Sequence, residues 1–114
     1  MRKSPSPYIQ HILDAATHIA EFIEGADRSS FGNEIKTQYA VVHLLEVIGE
    51  ACTNLEDNFK QSHPNIPWKQ IVAMRNKLTH QYWDIDLDIV WYAITHEVPE
   101  LKKQLLDLLI RIGE

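Results

Sequence analysis

Apolar side chains recur every three or four positions along almost the whole chain, and nowhere does a sustained alternation replace that rhythm. The period belongs to α-helices, and no Asn-Gly or Asp-Gly turn is present to fold a hairpin. A first amphipathic helix is predicted over residues 8–24, with Ile9, Ile12, Ala16, Ile19 and Ile23 on one face, Pro7 in its first turn and Gly25 as its stop. The link "ADRSSFGN" carries turn-forming residues. A longer helix is expected from about Glu34 to Phe59, on a stripe that includes Val41, Leu45, Ile48, Cys52 and Leu55. "SHPNIP" breaks it, because neither proline fits a helix interior. Pro67 opens a third helix that should bury Trp68, Ile71, Val72 and Leu78. After a turn at "WDIDLD", Asp86 or Asp88 can cap the last segment, Leu87 to Ile112, which Pro99 should kink or split near Val98.

The expected architecture is an all-α bundle of four or five helices, and 114 residues fit one domain spanning 1–114. With 45% apolar residues the chain can fill a core. Its last helix is apolar over a wide arc, with Trp91 and Tyr92 adjacent, a width that suits packing against a second copy. No apolar run approaches the ~20 residues needed to span a bilayer, and "MRKSPSPYIQHILDAA" lacks the apolar stretch of a signal peptide. The expectation is a cytoplasmic protein without membrane contact. One cysteine, Cys52, cannot form an internal disulfide, and on the apolar stripe it reads as a small buried hydrophobe. A net charge of −5 argues against a broad nucleic-acid-coating surface, although Lys69, Arg75, Lys77 and His80 concentrate positive charge locally.

Six histidines raise the question of a metal, but none lies in HExxH and no two are four apart on one helix face, so no metal site is expected. No glycine cluster precedes a helix to cradle phosphate, and Ser29, Ser30 and Ser62 stand where turns and caps want hydroxyls. Glu50 follows Gly49 beside an apolar stripe. Either it is a solvated carboxylate, or the glycine lets another helix approach closely.

"RNKLTHQY" gathers Arg75, Asn76, His80 and Tyr82. At about 100° per residue, Arg75, Thr79 and Tyr82 share a helix face while His80 lies about 140° round from Arg75. A loosening of the helix near His80 would let both reach one ligand. Without it, the residues read as a surface arginine, a histidine favoured at a helix C-terminus and a packed tyrosine.

The stretch resembles the Arg–x4–His–x–Tyr motif of HEPN-domain proteins, and specifically HepT-like toxins. "KTQYAVVHLLEVIGEA", "PNIPWKQIVAMRNKLTHQYWDIDLDIVW" and "VPELKKQLLDLL" also resemble HepT-like segments, in the same order and separation. The resemblance covers nearly the whole chain. It implies a homodimeric HEPN bundle with two motifs facing each other across a cleft, and metal-independent endoribonuclease activity without a cofactor. In that role Arg75 would grip phosphate oxygens, His80 would move a proton, and Asn76 would orient the histidine or the phosphate. The ribose 2′-hydroxyl would attack, leaving a 2′,3′-cyclic phosphate and a 5′-hydroxyl, with His80 of a second copy supplying the other proton transfer. The resemblance further implies the toxin half of a type VII-like toxin–antitoxin pair, silenced when an MntA-like nucleotidyltransferase antitoxin transfers AMP to Tyr82. Asp84, Asp86 and Asp88 would repel a long RNA backbone, so a compact end such as a tRNA tip fits better than a general groove. The alternative implied by the same resemblance is a non-catalytic nucleotide-binding HEPN domain or an accessory subunit of a minimal nucleotidyltransferase.

Overall fold

A computed structural model describes residues 6–80 and 84–113. Tyr82 lies outside the described residues, and so does the side chain of Ile112. Every regular element among the described residues is helical: α1 (Ser6–Phe22), α2 (Arg28–Gly32), α3 (Ile35–Asn54), α4 (Asp57–Gln61), α5 (Trp68–His80), α6 (Leu87–Tyr92), a π-helical turn (Ala93–Glu97) and α7 (Val98–Gly113). The all-α bundle expected from the sequence is the observed fold. Among the described residues, no helix is long and apolar enough to cross a membrane.

The core runs along the expected stripes. Ile9, Ile12 and Ile19 of α1, Val41, Ile48 and Cys52 of α3, and Leu105 of α7 are almost completely buried. α3 packs on both α1 and α5, while α1 also packs on α7. The columns therefore follow the order α5, α3, α1, α7, which leaves α5 at an edge with α3 as its main support.

Three boundaries differ from the sequence reading. The link after α1 contains a single helical turn. Gly25 reverses the chain at φ +79°, and Asp27 then forms a capping box with Ser30, accepting from its N–H at 2.8 Å while the Ser30 hydroxyl accepts from the Asp27 N–H at 3.0 Å. That turn buries Phe31, whose ring lies 5.2 Å from that of Trp91.

The second long helix ends at Asn54 rather than Phe59. Leu55 and Glu56 take extended backbone, the Leu55 side chain stays in the core, and Phe59 rides on the separate α4. Lys60 of α4 donates to the Cys52 carbonyl at 3.1 Å, a second donor for an oxygen in the last turn of α3 that also accepts from the Leu55 N–H at 3.3 Å. The Trp68 indole donates to the carbonyls of Lys60 and His63, which fixes the proline loop that starts α5.

Asp86, one of the two expected caps, caps α6 by accepting from the N–H groups of Asp88 and Ile89. The expected break near Val98 takes the form of the π-turn. Pro99 has no N–H for the carbonyl four residues back, and the Val98 N–H reaches five residues back to Ala93.

Candidate active site

α3 and α5 run antiparallel and close together because Gly49 presents no side chain. A methyl there would overlap Cβ and Cγ of Arg75. With its stem laid on that glycine, Arg75 extends to the solvent-facing edge of the helix pair. Its Nη2 donates to Glu50 Oε1 at 2.5 Å, and its Nη1 donates to Asn76 Oδ1 at 2.8 Å. One turn further along, the Thr79 hydroxyl donates to Glu46 Oε2 at 3.2 Å. Arg75 and Thr79 thus share the α3-facing side, as their four-residue spacing predicts.

α5 continues unbroken through His80, so the arginine and the histidine are not brought together by a loosened helix. Asn76 links them instead. It stands between them on the helix wheel, about 100° from Arg75 and about 40° from His80. Its side chain holds the guanidinium and its backbone carbonyl lies 2.8 Å from His80 Nδ1. A carbonyl can only accept, so Nδ1 carries the proton and the neutral ring offers its lone pair at Nε2. His80 and Asn76 are exposed, and Arg75 keeps 29% of its side chain in solvent. Among the described residues, Glu50 and Asn76 engage two of the five guanidinium N–H donors, and the planar fork suits a phosphate.

Glu50 is the residue the sequence left ambiguous. Its position after Gly49 was the available signal, but its pairing with Arg75 depends on the register between helices that are distant in sequence. Of the three aspartates beyond α5, Asp86 is spent as a cap, and Asp88 binds Arg28 at 2.6 Å. Cys52 is fully buried in the core, and that burial pushes its thiol up to about 12 against a weaker opposing pull from Lys60. Among the described residues no group of three His, Cys, Asp or Glu side chains converges as metal ligands do.

A concavity of about 660 Å³ lies elsewhere. It separates α5 from the π-turn and α7, over Ile71, Met74, Ala93 and Leu101, and neither Arg75 nor His80 lines it.

Comparison with known proteins bears on the same segments. The family model described as "Ribonuclease HepT-like" matches residues 12–108. A protein of Caldanaerobacter subterraneus subsp. tengcongensis, provisionally named an RNase, is 39% identical over 107 residues, covering 94% of this chain and 96% of its own. A Thermococcus cleftensis protein named "Probable ribonuclease HepT" is 38% identical over 102 residues, covering 90% of this chain and 93% of its own. No solved structure gives a significant match.

Proposed function

The chain belongs to the ribonuclease HepT-like family of the HEPN superfamily, and from that membership we propose that it is a metal-independent endoribonuclease whose reacting groups are Arg75 and His80. The observation that carries the reading is the double role of Asn76, which holds the guanidinium with its side chain and the imidazole with its carbonyl. An arginine and a histidine on different faces of a helix are thereby braced over one stretch of solvent-facing surface.

RNA brings its own nucleophile. His80 Nε2 takes the proton of a ribose 2′-hydroxyl, the 2′-oxygen closes on the adjacent phosphorus, and the bond from phosphorus to the 5′-oxygen breaks. Arg75 stays charged throughout and donates to the non-bridging oxygens as negative charge builds there. The leaving 5′-oxygen must gain a proton, so a second proton-transfer group is required. Glu50 and Asn76 bind no substrate in this scheme; they hold the guanidinium in place.

The same reading makes the protein the toxin of a toxin–antitoxin pair, working as a homodimer in the cytoplasm on a compact RNA end such as a tRNA tip. Its antitoxin is an MntA-like nucleotidyltransferase that transfers AMP to Tyr82. An added phosphodiester two residues beyond His80 would repel and block the RNA phosphate. A second reading draws on the Glu50 contact, which already neutralises Arg75: a HEPN domain that binds nucleotide, or serves a nucleotidyltransferase, without chemistry.

The test is cleavage of cellular RNA by purified protein in excess chelator, after intact mass shows Tyr82 unmodified. Wild type should cleave, and both His80→Ala and Arg75→Ala should fall by about 100-fold or more. An inert wild type would overturn the nuclease reading in favour of the binding domain.

A further inference from the structure

The groove between α5 and the π-turn holds about 660 Å³, inside the roughly 300–1,000 Å³ of small-ligand sites. Its lining is apolar at Ile71, Met74, Ala93 and Leu101, and one wall carries Tyr92 and His96. Those two rings stack, with centroids 4.6 Å apart and planes 13° apart, and Tyr92 is 56% exposed. The histidine is pinned. The Thr95 hydroxyl gives its one proton to the Trp91 carbonyl at 2.6 Å, so it accepts from His96 Nδ1 at 2.9 Å. The amides of Asn65, Gln70 and Gln104 also line the groove. Besides His96, its ionisable side chains are Lys77 against Glu97 and Glu100, so it holds no surplus of positive charge for an anion. A flat, neutral ring with hydrogen-bonding edges fits this set, with aromatic faces to stack on and amides and carboxylates to read its rim.

On the α5 wheel, the groove-lining Gln70, Ala73 and Lys77 stand within about 80° of His80, while Arg75 stands about 140° round on the other side. Lys77 precedes His80 by about one turn, ~4.5 Å along the axis. A smaller concavity of about 400 Å³ shares Met74, Lys77 and Ile89 with the groove and continues past Leu78, towards the C-terminal end of α5. Its Asp84 and Asp86 again favour a neutral group over a phosphate. We infer that the groove is a nucleobase site, which stacks one unpaired base of a single-stranded RNA on Tyr92 beside His80. Its link to His80 rests on the nuclease reading; the stacking itself does not. The site takes no part in proton transfer. It selects RNA whose base is free to leave a helix, and so favours a loop or an end over a duplex.

The test is the affinity for two uncleavable 2′-O-methyl oligonucleotides, one of mixed sequence and one abasic, of the same length and charge, with RNA cleavage followed in parallel. Wild type should bind the oligomer with bases about tenfold or more tighter than the abasic one, the scale of one stacked base. Tyr92→Leu should close most of that gap, and Tyr92→Phe, which keeps the ring, should preserve it. The leucine replaces an exposed ring, and far-UV circular dichroism checks that the variant is folded. Equal wild-type affinities for the two oligomers, or an undiminished gap in Tyr92→Leu, would overturn the base site, while RNA cleavage by the same wild type would leave the nuclease reading intact. An undiminished gap in Tyr92→Leu together with lost self-association would overturn it in favour of a second copy of the chain in the groove. A gap that depends on Tyr92, in a wild type unable to cleave RNA, would uphold the base site and overturn the nuclease reading.

Discussion

Arg75 and His80 face different ways on α5, and the asparagine between them bonds to both. The motif residues themselves were legible in the sequence, but the brace was not, because a backbone carbonyl carries no sequence signal and Glu50 lies 25 positions away. Glu50→Ala tests how much the brace contributes. The pair is half exposed, so loss of the carboxylate should move the thermal midpoint little, by less than about 1 kcal/mol in stability. An untethered guanidinium should nevertheless lower kcat on RNA by roughly tenfold to a hundredfold, as small misplacements of reacting groups do. Equal kcat in the variant and wild type would remove Glu50 from the site.

Cys52 makes a prediction of another kind. Its folded thiol sits at about 12 against an ordinary 9.0, so the unfolded chain loses the proton first. The stabilising contribution is complete below 9.0 and drains away as pH rises towards 12, at up to about 1.4 kcal/mol per pH unit. Urea midpoints below and within that window should fall more steeply for wild type than for Cys52→Ala. Parallel slopes would contradict the buried thiol.

At the scale of elements, the helical periods were plain wherever an apolar stripe ran for several turns, as in α1, α3 and α5. They failed where one turn had to stand alone. Phe31 is a single buried ring inside a stretch of turn formers, and only the Asp27–Ser30 capping box shows that a helix fits there. Leu55 continues the apolar stripe of α3, yet its backbone has already left the helix. A stripe records burial and says nothing of where hydrogen bonding stops.

Pro99 was legible as a disruption, but not as a π-turn. It sits where the π-turn runs without a break into α7, and the turn's wider spacing, with the Val98 N–H on Ala93, already accommodates the missing donor. Pro99→Ala should therefore change stability by less than about 1 kcal/mol, far below the ~3 kcal/mol that separates proline from alanine in a helix interior. A large gain in denaturation midpoint would show that the proline strains the column.

For the whole molecule, the order of columns puts the motif helix at an edge, where Arg75, Asn76 and His80 meet solvent over the face of α3. α2 ties the start of α3 to α6, through the buried Phe31 against Trp91 and the exposed Arg28–Asp88 pair. These two ties should differ sharply in strength. Phe31→Ala should destabilise by about 3–5 kcal/mol and Arg28→Ala by less than about 1 kcal/mol, as read from urea denaturation. Comparable losses would mean that the ion pair matters more than its exposure allows. The overall negative charge argues only against a broad nucleic-acid-coating surface; the proposed chemistry rests on the local arginine and histidine.

The central claim, that Arg75 and His80 cleave RNA through its own 2′-hydroxyl, is met most directly by end-group analysis of RNA cut in excess chelator. The account predicts 2′,3′-cyclic phosphate and 5′-hydroxyl ends from wild type and none from His80→Ala. Ends bearing a 3′-hydroxyl and a 5′-phosphate, or cyclic ends that persist in His80→Ala, would contradict it.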